Sequence, residues 1–157
     1  MFREMRRFKQ QVSKEECERV LCTAKRGVLS VTGDMGYPYA VPVDFLYDEN
    51  DGRVYIHTST SGHKIDSIKN DSKVCFTTWD EGYQKDDWSF FVTSVIIMGR
   101  AELVEDKKLA YDRLRRLGLK YYPSAEEVDI EMERDFHRVG LIAVTPEHMT
   151  GKLVHEK

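Results

Sequence analysis

The residues best suited to chemistry stand together in the run Thr58-Ser59-Thr60-Ser61-Gly62-His63-Lys64. Hydroxyls and a histidine offer hydrogen bonds, a lysine supplies positive charge, and a glycine permits the tight turn between them. Ile65 and Ile68 follow at helical spacing, so the hydroxyl run leads into the mouth of a short amphipathic helix. Free N–H groups and the local dipole at such a place favour an anion. The stretch reads as a phosphate cradle, although its single glycine and its spacing do not make a P-loop. A plain Ser or Thr N-cap followed by a solvated lysine explains the same residues. The flanking strands must weigh between the two.

Residues 53–58 alternate β-branched and aromatic side chains and predict the strand that delivers the hydroxyls. Upstream, residues 37–47 read as another strand, interrupted by Pro38 and Pro42. Proline donates nothing to a ladder, so this strand is expected at an edge, a bulge or a ligand-facing surface. Tyr39, Val41, Val43 and Phe45 alternate onto a core face, leaving Pro42, Asp44 and their backbone for a flat ligand. An edge protected by prolines against aggregation accounts for the pattern equally well.

The remaining elements frame these two segments. Residues 28–32 and 73–79 read as strands, 139–144 as the closing strand, and 150–152 as a polar tail. Residues 88–105 are too long for one flat strand at about 3.3 Å per residue, which predicts a bend near Ser94 or at Gly99. Val95 to Met98 is apolar on both faces, which implies burial on both, one of them against a partner subunit. Ser13 with Glu16 forms a capping box for a helix to about Lys25, whose Cys17, Val20, Leu21 and Ala24 face inward. Asp106 starts a helix that Gly118 ends, and Ser124 caps a second short one. Six antiparallel strands with few helices predict a mainly β fold with peripheral helices, a closed or split barrel. One domain over residues 1–157 is expected, with residues 1–8 a flexible tip.

Composition narrows the function classes. The chain has 157 residues, 41% hydrophobic and 32% charged, and its net charge of −3 gives no reason to expect a nucleic-acid partner. No apolar run approaches membrane-spanning length, and the first residues lack a signal-peptide core, so no membrane partner is expected. Cys17, Cys22 and Cys75 are odd in number and form no CxxC pair, which fits free thiols in a cytoplasmic protein and no metal site. His137, His148 and His155 show no ligand spacing.

Several of these motifs recur together in one known family. They are Gly27-Val28-Leu29-Ser30, Gly36-Tyr37-Pro38-Tyr39, Pro42-Val43-Asp44-Phe45 and Tyr55-Ile56-His57. Gly62-His63-Lys64-Ile65-Asp66 with Asn70, Ser94-Val95, Gly99-Arg100-Ala101 and Thr150-Gly151-Lys152 continue the series. From about Phe8 to Lys152 the chain resembles the FMN-binding split β-barrel proteins related to pyridoxamine 5'-phosphate oxidase. Within them it is most similar to the nitroimidazole-resistance branch. The resemblance implies a six-stranded split barrel that forms a homodimer with FMN at the interface, FAD being possible in its place. The phosphate would lie near Thr58, Ser59, His63 and Lys64. The isoalloxazine would lie along Pro42, Val43, Asp44 and Phe45 near His57, and Ser94 and Val95 would come from the partner chain. True oxidases carry an arginine-and-lysine clamp and an arginine-rich ending that this sequence does not show, which argues against oxidation of pyridoxamine phosphate.

The same resemblance places a histidine at the position of His57 close to the flavin. Imidazole suits proton delivery, but hydrogen bonding to FMN or backbone is the simpler role. The expected function is a flavoprotein passing electrons from NAD(P)H to a small acceptor such as a nitroaromatic. A non-enzymatic flavin carrier or sensor, and a haem-binding split barrel, are the alternatives.

Overall fold

The computed structural model describes residues 1–156. Strands β1 (Gly27–Thr32), β2 (Pro38–Val43), β3 (Leu46–Asp48), β4 (Arg53–Thr58), β5 (Lys73–Trp79), β6 (Tyr83–Gln84), β7 (Phe90–Leu103) and β8 (Gly140–Glu156) build one antiparallel sheet. Its order is β2-β1-β5-β7-β8-β4-β3, with β6 paired to β7. The two edge strands, β2 and β3, are consecutive in the chain and separated only by Asp44 and Phe45. The sheet has therefore curled until its edges meet, which is the split barrel expected from the sequence.

The strand count is eight rather than six. The expected strand over residues 37–47 breaks into β2 and β3 because the peptide groups of Phe45 are bonded outside the sheet. Its N–H donates to the Tyr121 hydroxyl at 3.0 Å, and its carbonyl accepts from Lys120 Nζ at 3.0 Å. The short β6 adds the other strand. The polar tail is not a tail: it continues β8, since β7 is long enough to pair from Leu103–Ile142 onward to Thr93–Leu153 and beyond. The bend in β7 falls between Met98 and Gly99. A Cβ at Gly99 would collide with the Thr145 carbonyl. Val95 and Ile97 point into the core, whereas Ile96 and Met98 are 42% and 44% exposed, so only one face of this run is covered within the chain.

Helices α1 (Lys14–Thr23), α2 (His63–Asn70), α3 (Lys107–Tyr121) and α4 (Ala125–Asp135) pack around the barrel. Ser13 caps α1 by accepting the Glu16 N–H at 3.2 Å, but the Glu16 carboxylate pairs with Arg19 at 2.6 Å instead of reaching back. Asp106 and Ser124 cap α3 and α4 as their sequence predicts. Gly118 does not end α3. It is buried inside the helix, where a Cβ would lie 2.9 Å from Val128 Cγ1, so the glycine allows α4 to approach closely. Phe2 stacks flat on His148, with ring centroids 4.7 Å apart, so part of the expected flexible tip lies against the barrel.

Two apolar clusters result. One fills the barrel around Leu29, Phe45, Ile56, Phe76 and Ile97. The other joins Tyr55, Leu141 and Ala143 of β4 and β8 to Leu114 of α3 and to Val128 and Met132 of α4. Among the described residues no helix is long and apolar enough to cross a membrane.

Candidate functional site

Strand β4 ends on opposed side chains: Thr58 is buried and His57 is exposed. The chain then turns through Ser59, Thr60 and Ser61, all exposed, with Ser59 Oγ donating to the Ser61 carbonyl at 2.5 Å. Gly62 follows at φ 128°, a conformation that disfavours any side chain, and places the start of α2. No side chain caps this helix, whose first residues, His63 and Lys64, line the cleft. The hydroxyls thus do not act as simple N-caps.

Lys64 is half-buried, and burial alone pushes its amine below the ordinary lysine pKa. It forms no ion pair among the described residues. His63 lines the cleft but is held by the opposite edge: its ring stacks on Tyr39 at 4.2 Å, and Nε2 accepts the Asp34 N–H at 3.3 Å. The cleft, about 340 Å³, is lined by Tyr39, Val41, His57, Ser59, His63 and Lys64 among others. Tyr39 was expected in the core. At the outer end of an edge strand nothing covers it, and it is 37% exposed against His63 instead.

The four residues expected to line a flat ring divide in two. Pro42 and Asp44 face outward on the edge, and Asp44 pairs with Arg26 at 2.5 Å. Val43 and Phe45 are buried, Phe45 edge-on to Phe76 with 4.9 Å between centroids. Their side chains support that edge from beneath and do not reach its surface.

Ser94 is half-buried on β7 and Val95 wholly buried in the chain's own barrel. Ser94 pairs with Lys152, whereas His57 pairs with Leu141, eleven positions away along β8. That is roughly 35 Å of extended strand. One copy of the chain does not bring Ser94 and the Lys64 cleft together.

Sequence reasoning missed two contributors, Lys120 and Tyr121, which hold the gap between β2 and β3. Tyr121 accepts from Phe45 N–H and lies 2.7 Å from the Lys25 carbonyl, while Lys25 Nζ donates to the Lys120 carbonyl at 2.9 Å. Burial, with the nearby charge of Lys25, pushes the Lys120 amine down to about 8. The only signal in the sequence was the Tyr121-Tyr122-Pro123 corner. A second pocket, of about 220 Å³, opens between this corner, α4 and His57.

A larger cleft, about 1120 Å³, lies elsewhere, between α1 and the Trp79–Tyr83 region, and holds none of the expected binding residues. Its lining balances Arg19, Lys25 and Arg26 against Glu16, Asp80 and Glu81, and Arg19 is paired with Glu16 and Asp80 at 2.6 and 2.9 Å, so it carries no net positive charge to draw in an anion. Among the described residues no group of three His, Cys, Asp or Glu is placed to hold a metal ion.

No curated protein matches the chain. Solved structures do. A candidate 5-nitroimidazole antibiotic resistance protein from Bacteroides thetaiotaomicron is 25% identical, with a TM-score of 0.73 over 92% of this chain and 87% of that one. A flavocytochrome from Azotobacter vinelandii is 20% identical, with a TM-score of 0.76 over 96% of this chain and 72% of that one. An FAD-binding protein from Mesorhizobium loti is 21% identical, with a TM-score of 0.65 over 94% and 96%. The latter two likenesses, at these identities, are of fold. The sequence profile of one family, pyridoxamine 5'-phosphate oxidase, matches residues 13–153, which takes in β1 to β7, β8 up to Leu153 and the whole Lys64 cleft. With that match and the barrel it describes, the chain belongs to the pyridoxamine 5'-phosphate oxidase family.

Proposed function

We propose that the protein binds FMN in the Lys64 cleft and acts as a cytoplasmic, homodimeric oxidoreductase. It would pass two electrons from reduced nicotinamide to a small acceptor such as a nitroaromatic. FAD offers the cleft a phosphate as well, so the grip itself does not choose between the two flavins. The observation that carries the reading is Lys64, a half-buried amine with burial as the cause of its shift and no carboxylate beside it. A phosphate would restore the charge partner that burial removes, and the uncapped start of α2 and the Ser59 hydroxyl add donors. Thr58 supports this turn from inside the barrel, and His63, held by Tyr39 and Asp34, closes its outer wall.

When bound, the flavin supplies the hydride and electron transfer. The chain binds and orients it. Pro42 and Asp44 present the edge along which a flat ring can lie, and Val43 and Phe45 hold that edge rigid. Exposed Ile96 and Met98, and the distance between Ser94 and the cleft, favour a second copy supplying Ser94. In that arrangement Val95 anchors its strand from within. The names of the flavocytochrome and the FAD-binding protein agree with a flavin in this fold.

Titration with FMN, followed by flavin fluorescence, tests the grip. Lys64→Ala weakens binding by about ten- to a hundredfold, the worth of hydrogen bonds to a charged group; unchanged affinity removes Lys64 from the site. Stopped-flow reduction by NADH or NADPH, then reoxidation by a nitroimidazole, tests turnover, and a flavin that is bound but never reduced marks a carrier. His57→Ala keeps the fold. If His57 delivers a proton, turnover falls by about a hundredfold or more; if it only hydrogen-bonds the flavin, the flavin spectrum moves and turnover stays.

A further inference from the structure

We infer that the pocket beneath α3 and α4 is a binding site for a single uncharged ring and turns phosphorylated molecules away. As the seat of the electron acceptor it rests on the flavin reading; as a binding site it does not. The walls are apolar, with Leu114, Leu117, Val128, Met132, Phe136 and Val139 facing the space. An apolar cavity of about 150 Å³ admits benzene. At about 220 Å³, this pocket takes one ring with one or two small substituents.

Its rim carries three carboxylates, and each already has a guanidinium. Asp44 pairs with Arg26 at 2.5 Å and Glu131 with Arg134 at 2.5 Å. Asp135 pairs with Arg134 at 2.9 Å and with Arg138. Three acids against three arginines leave no surplus charge to draw in a cation. No lysine or arginine lines the pocket itself, and the rim arginines are taken up by carboxylates, so a phosphate would meet apolar walls and paired charges, with only His57, Tyr121 and Tyr122 as polar groups beside it. The phosphorylated amine for which the family is named therefore has no place here.

The position gives the pocket its use. His57 lines both this pocket and the Lys64 cleft, and Asp44 sits on the edge offered to the flavin ring. A ring held under α3 and α4 would lie beside whatever the cleft holds. Gly118 is the residue that sets α3 and α4 close together here.

Met132 reports on occupancy directly. Protein labelled with ¹³C at the methionine methyl groups is titrated, with and without FMN, with nitrobenzene and with phenyl phosphate. Nitrobenzene is expected to move the Met132 methyl signal saturably in both forms. Met149, which packs on the separate barrel core, should stay in place. Phenyl phosphate should bind at least about tenfold more weakly. Val139→Trp fills the pocket and should abolish the Met132 response, with the Met149 signal reporting that the barrel is intact. Equal shifts from both compounds, no shift from either, or FMN alone moving Met132 and then blocking nitrobenzene would each overturn the inference. Lys64→Ala separates the two readings: it weakens flavin binding and should leave the nitrobenzene titration of the flavin-free protein unchanged.

Discussion

Asp48 and Lys64 are both ionisable groups drawn away from water, and the fold treats them in opposite ways. Asp48, 0% exposed at the end of β3, is ringed by partners. Arg113 reaches it at 2.7 Å and Arg116 at 2.8 Å, and the Asn50 N–H donates to it at 3.1 Å. Burial would raise its pKa, but the Arg116 and Asn50 hydrogen bonds and the two guanidinium charges together hold it below the usual carboxylate range. Arg113 extends the network to Asp51 at 3.2 Å, and Asp51 accepts the Tyr55 hydroxyl at 2.6 Å. Lys64 loses water and gains no such company. A charge whose partners come from its own chain fastens α3 to the barrel; a charge left without one is available to a ligand.

Breaking the paired side has the largest effect. Asp48→Ala removes the buried carboxylate that Arg113 and Arg116 share and costs about 3 kcal/mol, the low end for a broken buried pair because Arg113 keeps Asp51, read as a lower denaturant midpoint. The same contribution in the wild type is present above the ordinary carboxylate pKa, and it is lost as pH falls through the depressed value of the folded state. A midpoint unmoved by Asp48→Ala would mean that the network is ornamental.

Lysine side-chain NMR sharpens the contrast at intermediate size. Lys120 titrates near 8 with or without FMN, because its partners are Phe45 and Lys25 of its own chain. Lys64 titrates below the ordinary lysine value when free, and FMN raises it; a shift in Lys120 with none in Lys64 would put the phosphate elsewhere. The sign for stability follows. The folded Lys120 binds fewer protons than the unfolded chain between about 8 and 10.5, so its burdening of the fold is full below 8 and is relieved as pH climbs through that window. At the small end, Glu147→Ala breaks an exposed pair with Arg100 at 2.7 Å and shifts stability by no more than about 0.5 kcal/mol in a denaturant titration.

Much of the candidate site could be read from neighbours in sequence. The hydroxyl run, Gly62 and the α2 periodicity predict the turn and the short helix that form, while the structure decides that no hydroxyl caps it. Pro42 signals an edge strand, and β2 is one. Where the reading stopped short, the deciding partner was far along the chain. Phe45 and Val95 carry the right side chains for a binding strand, yet both point into the barrel. Gly118 looks like a helix stop until Val128 of α4 packs on it.

By itself the sequence determined the helices and their caps, most strands, the proline-marked edge and the phosphate-like run. Each of these depends on propensity and period within a few residues. Only the tertiary structure decided that the sheet closes between β2 and β3, that Tyr121 reaches Phe45 across 76 positions to hold the gap, and that α3 and α4 leave a charge-balanced pocket beside His57. Closure and charge balance are sums over groups brought together from distant parts of the chain, and no local pattern records those sums.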